Sequence, residues 1–208
     1  RSRRQRQMCI RDRHIDILAL QETHFSSDTT YSIEGFVFFL SGSDRSSGVG
    51  FIFAPHISPF VSTLTAVSDR IAHAILATKA GPMNLFSVYA PHQGPQHAES
   101  RAPFWRDLTQ LLTPIPSPEF LYILGDLNTR LQARTLDEHD ILGPQTFFGK
   151  GPSHISNSPH KNRRVLYVCA SPWAYALLIL TTPPNPHSKS HTGKLGKNIH
   201  INMPPTDI

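Results

Sequence analysis

LYILGDLN, residues 121–128, places a short apolar run directly before a glycine and two polar side chains. We predict a buried strand over Phe120–Leu124 that ends in a turn at Gly125. Asp126 and Asn128 are two residues apart, so they project the same way if the chain stays extended. Ligands collect at such strand ends in open α/β sheets. An Asp-x-Asn after glycine is more often a turn that hydrogen-bonds its own backbone, so this stretch alone does not establish a site.

Two further apolar runs also end in polar side chains. IDILALQETH (residues 15–24) delivers Glu22 at the carboxyl end of a predicted strand. NLFSVYAPH (residues 84–92) delivers Tyr89, whose ordinary interpretation is a half-buried aromatic with a hydrated hydroxyl. A hard cation needs several oxygen ligands, and Glu22, Asp126 and Asn128 would supply them if these strand ends meet.

The chain before residue 91 is dominated by strand patterns. Six runs separated by Ser, Gly, Asp or Pro are predicted as strands: Ile15–Gln21, Gly35–Leu40, Gly48–Phe53, Phe60–Val67, Ile71–Ala77 and Leu85–Tyr89. The period then changes, and an apolar stripe predicts a helix over Ala98–Leu112. The sequence therefore favours one α/β domain that is rich in strands.

The two ends of the chain differ from this middle. A shorter helix is predicted over Asn162–Ala170 and a last strand over Ala176–Leu180, after which no sustained period is found. We expect residues 1–13 to be a disordered or non-native basic arm, residues 14–182 to be the domain, and residues 183–208 to be a loosely packed, Pro-rich basic tail.

Composition excludes several classes of protein. With 208 residues and 39% hydrophobic side chains, the chain can bury one sizeable core, which argues against a disordered tail or a disulfide-stapled miniprotein. Cys9 and Cys169 stand far apart, so neither a thiolate zinc site nor a disulfide framework is indicated. The apolar runs are shorter than the ~20 residues of a membrane-spanning helix, and we expect no membrane partner.

The net charge of +5 is unevenly distributed. Residues 1–13 carry six Arg and one Asp, residues 14–149 carry seven basic and thirteen acidic residues, and residues 150–208 carry seven basic residues against Asp207. Clustered acidic groups suit a divalent cation, and basic segments suit a polyanion. Solvated faces of an ordinary domain would give the same distribution.

Five blocks together resemble a known family: IDILALQETH, SSGVGFIF, SDRIAHAIL, NLFSVYAPHQ and LYILGDLN. In order and spacing they are similar to the endonuclease/exonuclease/phosphatase superfamily, and most similar to the apurinic-endonuclease-like domain of non-LTR (LINE-type) retrotransposon polyproteins. The resemblance covers about residues 14–182. It implies an α/β fold, a four-layer sandwich of two mostly antiparallel sheets with outer helices, here incomplete.

The resemblance also implies roles for individual residues. Glu22 matches the magnesium-binding glutamate, and Asp126 and Asn128 match the pair that handles the attacking water, the metal and the phosphate. Tyr89 matches the tyrosine that contacts the scissile phosphate, and Arg70 is similar to a recurring arginine that would bind substrate. The implied cofactor is Mg²⁺, with Mn²⁺ as a substitute.

The family pattern is incomplete at both ends of the chain. No strand ending in the family's metal-binding asparagine precedes His14, and the C-terminal Ser-Asp-His motif is absent. We therefore expect a truncated or degenerate copy. The leading hypothesis is a Mg²⁺-dependent DNA endonuclease domain, and we expect little or no nicking by the chain as given. The alternatives are a phosphoesterase of the same fold and a non-catalytic fragment with residual nucleic-acid binding.

The implied partner is DNA, and the implied setting is a monomeric domain of a larger polyprotein. The compartment is not determined by the sequence, although a retroelement protein would work in the nucleus.

Overall fold

The computed structural model describes residues 15–43, 45–92, 94–116 and 118–128, together with the backbone of two later strands. In this part of the chain the elements are β1 (Ile17–Gln21), β2 (Thr29–Ile33), β3 (Phe36–Ser41), β4 (Val49–Phe53), β5 (Val61–Ser68), β6 (Ile71–Thr78), β7 (Gly81–Tyr89), α1 (Ala98–Leu112), β8 (Phe120–Asp126), β9 (Leu177–Leu180) and β10 (Ile199–Ile201). The predicted helix over Ala98–Leu112 is confirmed. The helix predicted over Asn162–Ala170 lies outside the described residues.

The strands form two sheets. The first sheet has the order β10-β1-β4-β3-β2, and all its pairs are antiparallel. The second sheet has the order β5-β6-β7-β8-β9, in which β5, β6 and β7 are antiparallel while β7, β8 and β9 run parallel. These mostly antiparallel sheets confirm the predicted α/β sandwich.

The parallel pair β7–β8 matters most for the site. Parallel strands need a crossover connection, and α1 lies within the connection between these two strands. Their register pairs Val88 with Gly125 and Tyr89 with Asp126. Both strands therefore bring their carboxyl ends to the same edge of the sheet.

Two apolar layers hold the elements together. The layer between the sheets is built from inward-facing residues of both sheets, among them Ile17, Ala19, Phe51, Phe53, Ala74, Leu85 and Leu124. Helix α1 covers the outer face of the second sheet with Phe104, Trp105, Leu108 and Leu112, which pack against Phe86, Val88, Leu121 and Ile123. The described residues thus form three layers, namely sheet, sheet and helix.

Three local predictions need correction. Strand β2 was not predicted, because its sequence TTYSI is polar and it forms the edge of its sheet. Strand β8 does not end at Gly125 but continues through Asp126. Residues 183–208 were expected to be a loosely packed tail without a sustained period, whereas Ile199–Ile201 form β10 and pair with β1.

No helix in the described part of the chain is long and apolar enough to cross a membrane.

Candidate active site

The ends of β1, β7 and β8 meet at one end of the sandwich. The Tyr89 hydroxyl, from the second sheet, donates a hydrogen bond of 3.0 Å to Oε1 of Glu22, which follows the first strand of the other sheet. Tyr89 is paired with Asp126 across the parallel strands. The structure therefore brings Glu22, Tyr89 and Asp126, each proposed from a separate stretch of sequence, into one cluster.

Glu22 reaches this cluster through an unusual backbone conformation. Ile17 and Ala19 face the space between the sheets, and Gln21 continues the same phase, so strand alternation alone would point Glu22 to the other side. The strand stops at Gln21, and Glu22 adopts φ 54°. A non-glycine residue in this region stores strain of about 1–3 kcal/mol, and such residues cluster at functional sites, although Glu34 and Arg45 adopt positive φ outside this cluster as well.

Tyr89 is the most buried member of the cluster, with 7% of the residue exposed. Burial raises the pKa of its phenol to about 12, helped by the hydrogen bond to Glu22 and by the negative charges of Glu22 and Asp126, while Arg70 acts in the opposite direction. Both carboxylates thus act on the same hydroxyl. Tyr89 is therefore a neutral hydrogen-bond donor at physiological pH.

Asp126 and Asn128 are held by a compact set of hydrogen bonds. The backbone N–H of Asn128 donates to Oδ1 of Asp126 at 3.0 Å. This bond forms the turn that Asp-x-Asn sequences favour, in which the aspartate side chain binds its own backbone two residues on. The Asn128 side chain donates to the Ala90 carbonyl, and the Ala90 amide donates to the Asp126 carbonyl at 2.8 Å. The turn interpretation is therefore correct, and the same turn fixes both side chains beside the end of β7.

Gly125 is needed for close approach rather than for a turn. It lies inside β8 with φ 145°, and a Cβ atom built there would stand 2.0 Å from the Val88 carbonyl oxygen. No other residue type fits without separating β7 from β8. This contact sets the spacing between Tyr89 and Asp126.

Arg70 packs directly on Tyr89. Its guanidinium carbon lies 5.1 Å from the centre of the Tyr89 ring, and Nη1 donates to the Tyr89 carbonyl at 3.3 Å. The Tyr89 amide in turn donates to the Arg70 carbonyl at 2.9 Å. The structure thus places the predicted substrate-binding arginine next to the cluster, where it supplies positive charge.

Sequence reasoning missed His92. Its Nε2 lies 3.3 Å from the Tyr89 hydroxyl. Because the hydroxyl proton is donated to Glu22, this contact requires a proton on Nε2 of His92. The signal in the sequence was the position of His92 three residues after Tyr89, but nothing local shows that its ring turns back onto the hydroxyl.

The loop before β4 is hydrogen-bonded to the segment after Glu22. Thr23 and His24 donate their amides to the carbonyls of Gly48 and Ser47, at 3.1 and 2.8 Å. The Gly48 amide donates to the Asp69 carbonyl at 2.8 Å, and the Ser47 hydroxyl donates to the Asp69 carboxylate. The turn between β5 and β6 is thereby connected to the backbone beside the cluster.

The donor set fits a hydrated hard cation. Glu22 and Asp126 offer carboxylate oxygens and Asn128 an amide side chain, all partly exposed. Mg²⁺ is usually bound by one or two carboxylates and keeps several waters. In the described ranges no three His, Cys, Asp or Glu side chains form a group that could hold a metal ion. A cation at Glu22 and Asp126 would therefore keep several water ligands, which Mg²⁺ does more readily than a structural Zn²⁺.

Known families and proteins include relatives of this chain. The sequence matches the Endonuclease/Exonuclease/phosphatase family over residues 7–196. A "Transposon TX1 uncharacterized 149 kDa protein" of Xenopus laevis is 36% identical over 120 residues, which are 55% of this chain and 9% of that protein. The chain thus spans only a small part of that relative. Because the family match covers most of its length, this chain belongs to the endonuclease/exonuclease/phosphatase family.

Proposed function

We propose that this chain is a Mg²⁺-dependent phosphodiesterase domain that nicks DNA. The observation that carries the proposal is the meeting of Glu22, Tyr89 and Asp126 at one end of the sandwich, with the hydroxyl of Tyr89 bonded to Glu22 at 3.0 Å. Family membership supports a nuclease or phosphoesterase, and the transposon relative favours DNA as the substrate.

Each side chain has a role that its chemistry supports. When bound, Mg²⁺ would neutralise the negative charge that develops on the phosphate oxygens. Glu22 and Asp126 would hold the cation, and Asp126, oriented by its turn, would also direct the attacking water or accept its proton. Neutral Tyr89, whose hydroxyl donates to Glu22 in this structure, would redirect that hydrogen bond to the phosphate once Glu22 holds the cation, and Arg70 would add positive charge beside it.

A second candidate is a non-catalytic copy that still binds nucleic acid. The observation favouring it is that Ser-Asp-His, the family motif whose histidine stabilises the phosphate oxygens, does not occur in the 208 residues. Loss of one such donor typically slows a reaction by ~10²- to 10³-fold. We therefore expect this chain to nick slowly at best.

The test measures the rate at which the unmodified chain and Asp126→Ala each relax supercoiled plasmid in Mg²⁺ or Mn²⁺. We expect any nicking to stop with EDTA and to fall by at least ~10²-fold in this variant, the typical contribution of a general base. Asp107→Ala is the matched control, because it removes an aspartate on α1 that pairs with Arg106 on the surface. It should nick like the unmodified chain.

The other outcomes separate the candidates. Nicking that survives Asp126→Ala or chelation would refute the proposed site. Plasmid binding without nicking in either metal would favour the non-catalytic copy. Hydrolysis of p-nitrophenyl phosphate in preference to plasmid would favour a phosphoesterase for small substrates.

A further inference from the structure

A polar layer separates the apolar core from the cluster of Glu22, Tyr89 and Asp126. Along the inward face of β7, Met83 and Leu85 are apolar, but the next inward residue is Ser87, fully buried. Along β1 the corresponding inward residue is Gln21, 2% exposed. These two polar residues lie one step deeper than the cluster, at a level where apolar side chains would pack more simply.

Gln21 and Ser87 join the two sheets by hydrogen bonds. Nε2 of Gln21 donates to the Ser87 hydroxyl at 3.1 Å, and this hydroxyl donates to the Leu20 carbonyl at 3.0 Å. Because the single hydroxyl proton is used on Leu20, Ser87 must accept from the nitrogen of Gln21, which fixes the orientation of the amide. One serine of the second sheet therefore holds the two residues that immediately precede Glu22.

We infer that Gln21 and Ser87 are positioning residues, which hold the carboxylate of Glu22 at its working distance from Tyr89 and Asp126. This inference rests on the proposed function, because it concerns the affinity of the same metal site. Tyr89 and Asp126 belong to one sheet and are spaced by strand pairing. Glu22 follows a strand of the other sheet, so its distance from them depends on how the sheets are joined at this level.

The oxygen of the Gln21 side-chain amide supports the same inference. This atom, Oε1, is buried and has no hydrogen-bond partner within the described ranges, and the same holds for Oγ1 of Thr23 on the other side of Glu22. A buried acceptor without a donor is unfavourable. Both side chains flank Glu22 in sequence, so the segment that carries the carboxylate leaves buried polar atoms unpaired where apolar side chains would avoid that cost.

A serine on another strand of the first sheet provides the matched control. Ser41, on β3, is 1% exposed and donates its hydroxyl at 2.7 Å to the carbonyl of Ser68, on β5 of the other sheet. It therefore makes the same type of buried bond between the sheets. Its bond ends at Ser68, before the turn between β5 and β6, and not at Leu20 or Gln21, so its loss measures the effect of a buried bond between the sheets that does not hold the residues preceding Glu22.

The experiment measures metal binding rather than turnover. Tb³⁺, a hard cation sensitised by nearby tyrosine, is titrated into the full chain, and Mg²⁺ is used to displace it. We expect Ser87→Ala to bind Tb³⁺ and Mg²⁺ ~10- to 100-fold more weakly, the usual effect of removing a residue that orients a metal ligand. Ser87→Thr, which keeps the hydroxyl, should restore the affinity, and Ser41→Ala should leave it unchanged although urea unfolding shows both alanine variants destabilised.

A second variant covers the case in which Ser87→Ala does not fold. Gln21→Met keeps a long side chain and the bond from Ser87 to Leu20 but removes the amide, and the same weakening is expected. Equal affinities in Gln21→Met, Ser41→Ala and the unmodified chain would overturn the inference and leave the proposed function standing. If Glu22→Gln binds as tightly as the unmodified chain, the proposed metal site fails, and the inference fails with it.

Discussion

Replacement of Gly125 by alanine tests whether the spacing of β7 and β8 supports the candidate site. Gly125 has φ 145°, and an added Cβ would stand 2.0 Å from the oxygen and 2.9 Å from the carbon and nitrogen of Val88. These are backbone atoms, so no side-chain rotation can relieve the overlap. Gly81→Ala is the matched control, because Gly81 has φ 121° but no atom within 4 Å of the added Cβ.

The expected magnitudes follow from these two geometries. Gly81→Ala incurs only backbone strain, about 1–3 kcal/mol. Gly125→Ala incurs similar strain and in addition must push two paired strands apart, and overpacking of this kind typically adds about 1–3 kcal/mol. We therefore expect Gly125→Ala to be the more destabilised variant by about 1–3 kcal/mol in the free energy of unfolding.

Urea unfolding followed by tryptophan fluorescence measures this difference. A Tb³⁺ titration under native conditions adds a second observable, because widening the strands moves Asp126 away from Tyr89 and should weaken metal binding in Gly125→Ala alone. Equal unfolding free energies and equal Tb³⁺ affinities in the two variants would refute the argument that the Gly125–Val88 contact positions the site.

Three further predictions concern single side chains. A difference titration by absorbance, of the unmodified chain against Tyr89→Phe, should show the Tyr89 phenol ionising near pH 12. The stability that this raised pKa contributes is complete below pH 10 and is lost as the pH rises from 10 to 12. A titration midpoint near pH 10 would contradict the burial of the phenol. Burial lowers the pKa of His73 below 6.5, which means that the unfolded chain takes up the proton first and that stability falls as the pH drops below 6.5. His73→Phe should reduce the stability lost between about pH 7.5 and about pH 5, and an unchanged loss would refute this assignment. Leu108→Ala should cost about 2–5 kcal/mol in urea unfolding, whereas its exposed neighbour Gln110→Ala should stay within about 0.5 kcal/mol.

Periodicity alone was sufficient for much of the fold. The apolar stripe of α1 predicted Ala98–Leu112 without error, because the periodicity that marks a helix packing on a sheet lies within one continuous segment. The central strands were found because their apolar side chains line the core. Strand β2 was missed because an edge strand needs little apolar surface, and its partner β3 supplies most of it.

The site was only partly accessible from the sequence. Glu22, Tyr89, Asp126 and Asn128 were singled out because polar side chains follow apolar runs. Gln21 and Ser87 could not be paired, since they are 66 residues apart and belong to different sheets. A polar residue in the inward phase of a strand was the available signal, but its partner is determined by how the sheets pack.

The strained backbone at Glu22 has a consequence for the history of such domains. Glu22, His24 and Asn128 all have positive φ, at 54°, 56° and 45°, and glycine would adopt each of these conformations without steric strain. Substitution of Glu22 by glycine would remove the carboxylate and the strain together. Folding alone does not require a carboxylate at this position, whereas the proposed metal site does. A relative that keeps the sandwich is consequently not marked as active by its fold, and position 22 is one place where loss of the proposed chemistry would be visible in its sequence.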